Sequence, residues 1–380
     1  MKSTALIVSF LLSIIFSCAQ ESNIPTNLIP SKYQSEKINS DFKTYKSKAV
    51  DLTKYLPKNY SKKGDIDYTK YLQKGLDENR TVLFPNFPIL VDDTGLTISS
   101  NSILLFNDDS QLLLQASSKD TYEILRVHQV DNVKIFNANI TGDSKKHLGK
   151  TGEWGMGIAI RSSTNIELYN PKIENCWGDG IYVGQIWNKG KNVKRKLEPV
   201  SKNITIYNAF INANGRNGLS LVAIDGIKVY NSFFANSKRT FPKSGIDIEP
   251  GPGITTNIEI VNCVTYNNGA RGIDFMLRKL PSMKDNDLNV TIKNHTDDSS
   301  PIGLRIAGYK KAEPSAKNKI ISGSINIDAP KLSNNRINAI DIESNQSLAP
   351  KIIIKNYKGT QKLQKSLEKV NNAKAFQIVN

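Results

Sequence analysis

Asp247 and Glu249 lie two residues apart in Gly245-Ile246-Asp247-Ile248-Glu249, and Asp274 holds the place of Asp247 in Gly272-Ile273-Asp274-Phe275. If these segments are strands, alternation puts Asp247 and Glu249 on one face, about 6.5–7 Å apart at Cα. Stacking the second segment on the first brings Asp274 to about 4.8 Å from Asp247. Carboxylates that close cannot both ionise cheaply, so one keeps a proton near neutral pH. A protonated acid beside an ionised partner is the equipment of glycosidic cleavage. The acid protonates the leaving oxygen, and the partner activates water or attacks the sugar. Asp179, just before Gly180, is a fourth candidate catalytic acid. Acids on an exposed strand face often do no more than carry water. Yet Asp and Glu are poor strand formers and like charges stacked side by side repel, so their convergence asks for a function.

Candidate binding residues surround these acids. Tyr182, Asn217, Arg271 and Arg305 fall on equivalent strands or in the bends that enter them. Three neighbouring segments are longer than the pattern requires. The first carries His147 and Trp154, the second Trp187 with a basic run from Lys189 to Lys196, and the third Phe241 and Lys243. All three adjoin the same strand, so they should wall one groove. Aromatic rings stack on sugars, and Lys and Arg meet carboxylates or sulfates. His147 reads first as a surface residue, with a general acid or a substrate contact as the alternatives.

The elements that must position these residues follow from a repeat. Gly-aliphatic-x-apolar recurs at Gly157, Gly180, Gly218, Gly245, Gly272 and Gly303, with a degenerate copy at Ala339. Most copies follow a short alternating strand ending in Asn, at Asn137, Asn170, Asn208, Asn231, Asn262 and Asn294. The Asn-to-Gly offset is 10 residues for Asn170/Gly180, Asn208/Gly218 and Asn262/Gly272. Each unit is too short to bury a face alone, and stacking coil on coil closes a continuous apolar interior. The Asn positions are expected at tight bends, with their amides laddered from coil to coil. The Gly positions are expected at bends that need positive φ. An antiparallel sandwich would not place like residues in register. The x positions, from Ala159 through Tyr182, Ser220, Asp247, Asp274 and Arg305 to Asp341, point outward.

The Asn series, the Gly-Ile-x-Ile series and an entry of Asp65-Ile66-Asp67-Tyr68-Thr69, a helix over Tyr68–Glu78 and Thr81-Val82-Leu83-Phe84-Pro85 resemble the pectin-lyase-like superfamily. The resemblance runs from about Gly64 to the C-terminal region. It implies an all-β, single-domain right-handed parallel β-helix whose N-terminal helix covers an otherwise open sheet edge. It also implies a substrate cleft along the Gly-Ile-x-Ile strands and an activity on polysaccharide. The polygalacturonase motifs (Asn-Thr-Asp, Asp-Asp, Gly-His-Gly, Arg-Ile-Lys) are absent from this sequence, which disfavours a standard pectin hydrolase. Members that are lyases or epimerases hold calcium against a uronate. On that reading Asp247, Glu249 and Asp274 would be calcium ligands, and Arg271, Lys243 or Arg305 the base. On the hydrolytic reading no cofactor is needed. A non-catalytic glycan-binding surface protein fits the scaffold too.

Composition bounds the partner. A formal charge of +16 over 380 residues favours polyanions, with acidic polysaccharide ahead of nucleic acid because no nucleic-acid reader motif is present. Residues 1–17 read as a signal peptide. Ile15-Phe16-Ser17-Cys18 is lipobox-like, which makes Cys18 the first mature residue and a lipidation site, and the membrane a partner only through that anchor. The expected location is the cell envelope or the exterior. Residues 18–60 read as a tether and first packing segment, 61–380 as the β-helix, and Gln361–Ala373 as a C-terminal helical cap. Cys176 and Cys263 read as inward-facing small residues, with a disulfide between them left open.

Overall fold

In the computed structural model, residues 24–188, 196–309, 318–344, 347–359 and 376–379 are described. The signal segment, Cys18, the basic run over 189–195 and the C-terminal cap lie outside them. The described strands wind into three parallel sheets of twelve, nine and ten strands. Each coil contributes one strand to each sheet, as a right-handed parallel crossover requires.

Register explains the core. Ile158, Ile181, Leu219, Ile246, Ile273, Leu304 and Ile340 pair in sequence across the nine-stranded sheet. All are buried. The facing columns on the other sheets are equally apolar, among them Ile166, Ile204, Ile227, Ile258 and Val290. Cys176 and Cys263 belong to this interior as free, buried thiols, which answers the disulfide question.

The bends divide their labour differently from the sequence expectation. Positive φ falls on the asparagines: 58° at Asn137, 52° at Asn170, 55° at Asn208 and 53° at Asn262. Their amides form the expected ladder, with Asn170 Nδ2 donating to Asn137 Oδ1 at 2.8 Å and Asn208 Nδ2 to Asn170 Oδ1 at 2.8 Å. The repeating glycines do not have positive φ. They are required because each lies against the carbonyl of the next: a Cβ at Gly180 would stand 2.3 Å from Ile211 Cγ2 and 2.9 Å from Gly218 O. Backbone cannot yield as a side chain can. Gly180→Ala should therefore cost about 1–3 kcal/mol by overpacking, read as a lowered thermal midpoint.

The N-terminal end is closed by a helix (α2, Thr69–Glu78) that buries Leu72 and Leu76. An earlier helix (α1, Glu36–Lys46) was not foreseen. Its Ile38, Phe42 and Tyr45 pack on an outward cluster of Leu105, Phe136 and Tyr169. Upstream, Tyr33 stacks on Tyr207 at 5.3 Å and its N–H donates to Asn208 Oδ1 at 2.7 Å, so the ladder itself anchors the segment.

One polar knot interrupts the interior. Asp297 is buried and accepts from Thr265 Oγ1 at 2.6 Å, Ser300 Oγ at 2.7 Å and Asn335 Nδ2 at 2.6 Å. Burial pushes its pKa up to about 7, against those hydrogen bonds. Burial also lowers His295, 3.2 Å from Thr265 Oγ1, to about 4. Between the unfolded and folded values of Asp297 the native state binds the extra proton, so its contribution falls as pH rises from about 4 to 7. His295 has the opposite slope from about 6.5 down to 4, and the two largely cancel. Asp297→Asn should expose the histidine alone. Stability would then rise with pH across that window by up to about 1.4 kcal/mol per unit, measured by denaturation at several pH values.

Candidate active site

The strand Ser244–Ile248 turns Ile246 and Ile248 into the core, and alternation therefore sends Asp247 to the outer face. Parallel pairing sets Ser220, Asp247, Asp274, Arg305 and Asp341 in one column across adjacent coils. The outer face is not open at every rung. Asp247 and Asp274 are each only 1% exposed, sealed by the bends and loops around them.

Two polar layers hold these acids. Asp179 is fully buried in the entry bend. It accepts from Arg216 Nη1 at 3.0 Å, the Asn217 N–H at 3.0 Å and Ser220 Oγ at 2.9 Å. Asn217 is buried as well. Its Nδ2 donates to Ser220 Oγ at 3.0 Å and Asp247 Oδ2 at 3.2 Å, while its Oδ1 accepts from the Ser244 N–H at 3.0 Å. Burial would lower the pKa of Arg216, but Asp179, Asp247, Glu249 and Glu153 outweigh it and raise it.

Asp247 Oδ1 is buried and, among the described residues, has no hydrogen-bond partner. Burial first, then the neighbouring Asp274, lifts the Asp247 pKa well above the usual carboxylate range. Burial raises Asp274 too, but Arg271 and Arg305 pull it back. Arg305 Nη1 lies 3.3 Å from Asp274 Oδ1, and Arg271 Nε lies 3.6 Å from Asp274 Oδ2. Both are raised, Asp247 the further of the two, so a proton shared by the pair favours Asp247.

Asp274 opens on a pocket of about 390 Å³. Arg216, Arg271, Arg305 and Glu249 give it charged walls, and Phe241, Pro242 and Met276 apolar ones. A larger hollow of about 530 Å³ lies around Lys228, Glu259 and Lys293, on the same coils but on the face of the twelve-stranded sheet, away from these acids.

The structure brings together Asp179, Asn217, Asp247, Glu249, Asp274, Arg271 and Arg305, as expected, with Lys243 on the adjoining bend. It changes several of their roles. Asp179 and Asn217 are sealed and act on Arg216 and Asp247, not on a ligand. Alternation does not carry through a bend, so their burial was not readable. The Tyr182 ring is covered by Arg161, whose guanidinium carbon is 4.1 Å from its centroid, and it offers no open face. The His147 side chain is fully buried, paired to Asp143 at 2.7 Å and stacked on Trp177 at 3.9 Å. It anchors its loop and cannot reach a substrate. Trp154 is 46% exposed and does not line the pocket, although its neighbour Glu153 lies 4.0 Å from Arg216. Trp187 does not line the pocket either, and Lys279 Nζ lies 5.7 Å from its ring. Arg216 was not singled out, and Phe241 was named only as part of its lengthened segment, although both flank repeat bends.

Calcium fits this arrangement poorly. Among the described residues no three His, Cys, Asp or Glu groups converge to hold a metal ion. Guanidinium groups already sit on the proposed ligands, Arg216 on Glu249 at 3.6 Å and Arg271 and Arg305 on Asp274. They supply the positive charge that a cation would bring.

Coils, register and bends together define a right-handed parallel β-helix. No protein-family model matches the chain. It aligns with two proteins of Bacillus subtilis (strain 168). The uncharacterized protein YclG is 27% identical over 210 residues, covering 50% of this chain and 35% of that protein. The SPbeta prophage-derived uncharacterized protein YorA is 26% identical over 229 residues, covering 56% and 39%. The chain thus spans well under half the length of these curated relatives. Among solved structures, the A-module of mannuronan C-5 epimerase AlgE4 of Azotobacter vinelandii superposes with a TM-score of 0.56 at 12% identity, over 87% of this chain and 100% of that module. The surface adhesin PfbA of Streptococcus pneumoniae superposes with a TM-score of 0.55 at 14% identity, over 87% and 89%. At these identities the likeness establishes the fold.

Proposed function

We propose that this protein cleaves an acidic polysaccharide by glycoside hydrolysis in the pocket beside Asp274. The observation that carries the reading is the Asp247–Asp274 pair: two buried carboxyls in adjacent register, the second between two arginines and lining the pocket. Asp274 takes a proton from the attacking water. Glu249, 42% exposed at the pocket wall, takes a proton from solvent and gives it to the leaving oxygen. In the resting pair Asp247 holds the shared proton and leaves Asp274 charged. Arg216, Arg271 and Arg305 attract the anionic groups of the substrate. Structural likeness to a mannuronan epimerase supports glycan as the partner class. The signal peptide read in residues 1–17 supports a substrate outside the cytoplasm.

The test is a screen of residues 21–380 on alginate, polygalacturonate, hyaluronan and chondroitin sulfate. Reducing ends and the ultraviolet absorbance of unsaturated uronates are followed together, beside Asp274→Asn. New reducing ends without absorbance, lost in the variant, are the expected result. Absorbance would replace hydrolysis by elimination. Retention on the polysaccharide with neither signal would make the protein a binder.

A further inference from the structure

Phe241 is an anomaly of this pocket. Among the exposed large apolar side chains of the described residues, it is the one that lines the cavity beside Asp274, and it is 63% exposed. A phenyl ring left in water forgoes the free energy its burial would bring. The bend does not leave it there by looseness. Arg239 and Thr240 both donate backbone N–H groups to Gly215 O, at 2.9 and 2.8 Å. Arg271 Nη1 donates to Pro242 O at 3.4 Å, and the Ala270 N–H to Lys243 O at 3.0 Å. The Arg239 guanidinium lies 3.4 Å from the centroid of Trp177, which fastens the bend to the neighbouring coil. Lys243 Nζ and the Arg271 guanidinium carbon lie over the Phe241 ring, 4.7 and 5.9 Å from its centroid, and hold its plane, while the 63% exposure of the residue leaves ring surface open.

An aromatic ring pinned in the open, with cations over it and carboxylates lining the same pocket, matches one ligand chemistry. A pyranose presents axial C–H groups on one face, which pack on an aromatic face, and anionic substituents at its edge, which meet Lys and Arg. We propose that Phe241 is the stacking platform for the sugar bound beside Asp274, and that it determines which pyranose stands there. The assignment deepens the hydrolytic reading and rests on it for the identity of the partner. It does not require that the bond be cut.

The experiment compares Phe241→Ala, Phe241→Leu and Phe241→Tyr in two readouts. The first is KM and kcat on the polysaccharide that the wild-type protein cleaves. The second is retention in native gels containing each of the four polysaccharides above, in an Asp247→Asn background that leaves the pocket walls intact. Alanine and leucine should each raise KM and weaken retention by about tenfold, with kcat little changed, while tyrosine keeps wild-type values. Leucine equal to wild type would reduce Phe241 to a generic apolar contact and overturn the proposal, as would unchanged values in alanine. Retention that depends on Phe241 without any cleavage would sink the hydrolytic reading and keep the platform. Wild-type retention by none of the four would overturn both.

Discussion

Asp247→Asn should inactivate the protein and stabilise it at the same time. Inactivation follows because the pair shares one proton, and an amide cannot exchange it with Asp274 as that carboxylate takes a proton from water. A loss of about 10²–10⁴ in kcat is expected, the usual range for disabling a general acid or base. Stabilisation follows from linkage. The folded-state pKa of Asp247 lies well above its unfolded value, chiefly through burial and then through Asp274. Its contribution to stability is therefore complete below the unfolded pKa and declines as pH rises through the folded one. Asparagine has no such proton to lose, and it keeps an acceptor for Asn217 Nδ2, now 3.2 Å from Asp247 Oδ2. The variant should match wild type near pH 4 and exceed it by about 1–2 kcal/mol near pH 8, as expected where a site holds strain for function. Thermal midpoints at the two pH values, beside the activity assay, check both halves. A variant that is inactive and less stable at both would mean that Asp247 is a packing residue.

The coils were legible because a solenoid writes its tertiary contacts into local sequence. Ile246 and Ile273 share a register, so period-2 alternation within each segment correctly placed Asp247 and Asp274 side by side. Asn at the bends was legible for the same reason. The glycines were found but misread: their constraint is the carbonyl one coil away, a contact that no single repeat displays. Whether an outward residue meets solvent was not legible at all. Loops far apart in sequence decide it, as Arg161 does for Tyr182 and as Asp143 and Trp177 do for His147. Helix α1 escaped for a related reason. It buries no residue fully, and what holds it is an outward aromatic row of Phe136, Tyr169 and Tyr207, stacked at 4.6 and 5.5 Å. That row occupies the position before Asn137, Asn170 and Asn208 and was visible in the sequence as an apolar stripe in need of a cover.

Arg216→Ala should be the most damaging single truncation at the site, for reasons separate from catalysis. The Arg216 side chain is 12% exposed and Asp179 is completely enclosed. Removing the guanidinium leaves the Asp179 carboxylate with Ser220 Oγ and one backbone N–H, and no compensating charge. Breaking one side of such a buried pair costs about 3–5 kcal/mol, a large share of the 5–15 kcal/mol that ordinarily separates folded from unfolded domains. Glu249 loses its partner at 3.6 Å too, so the pocket wall loosens together with its support. A second substitution tests the cause. Adding Asp179→Asn removes the stranded charge, and the double variant should recover part of the loss, which a double-mutant cycle on thermal or urea midpoints would show as a coupling of about 1–3 kcal/mol. Additive losses would mean that Arg216 stabilises the coil through the packing of its stem. Recovery would establish that the arginine is retained to hold a negative charge beneath the pocket, where Asp179, Ser220 and Asn217 carry its influence to Asp247.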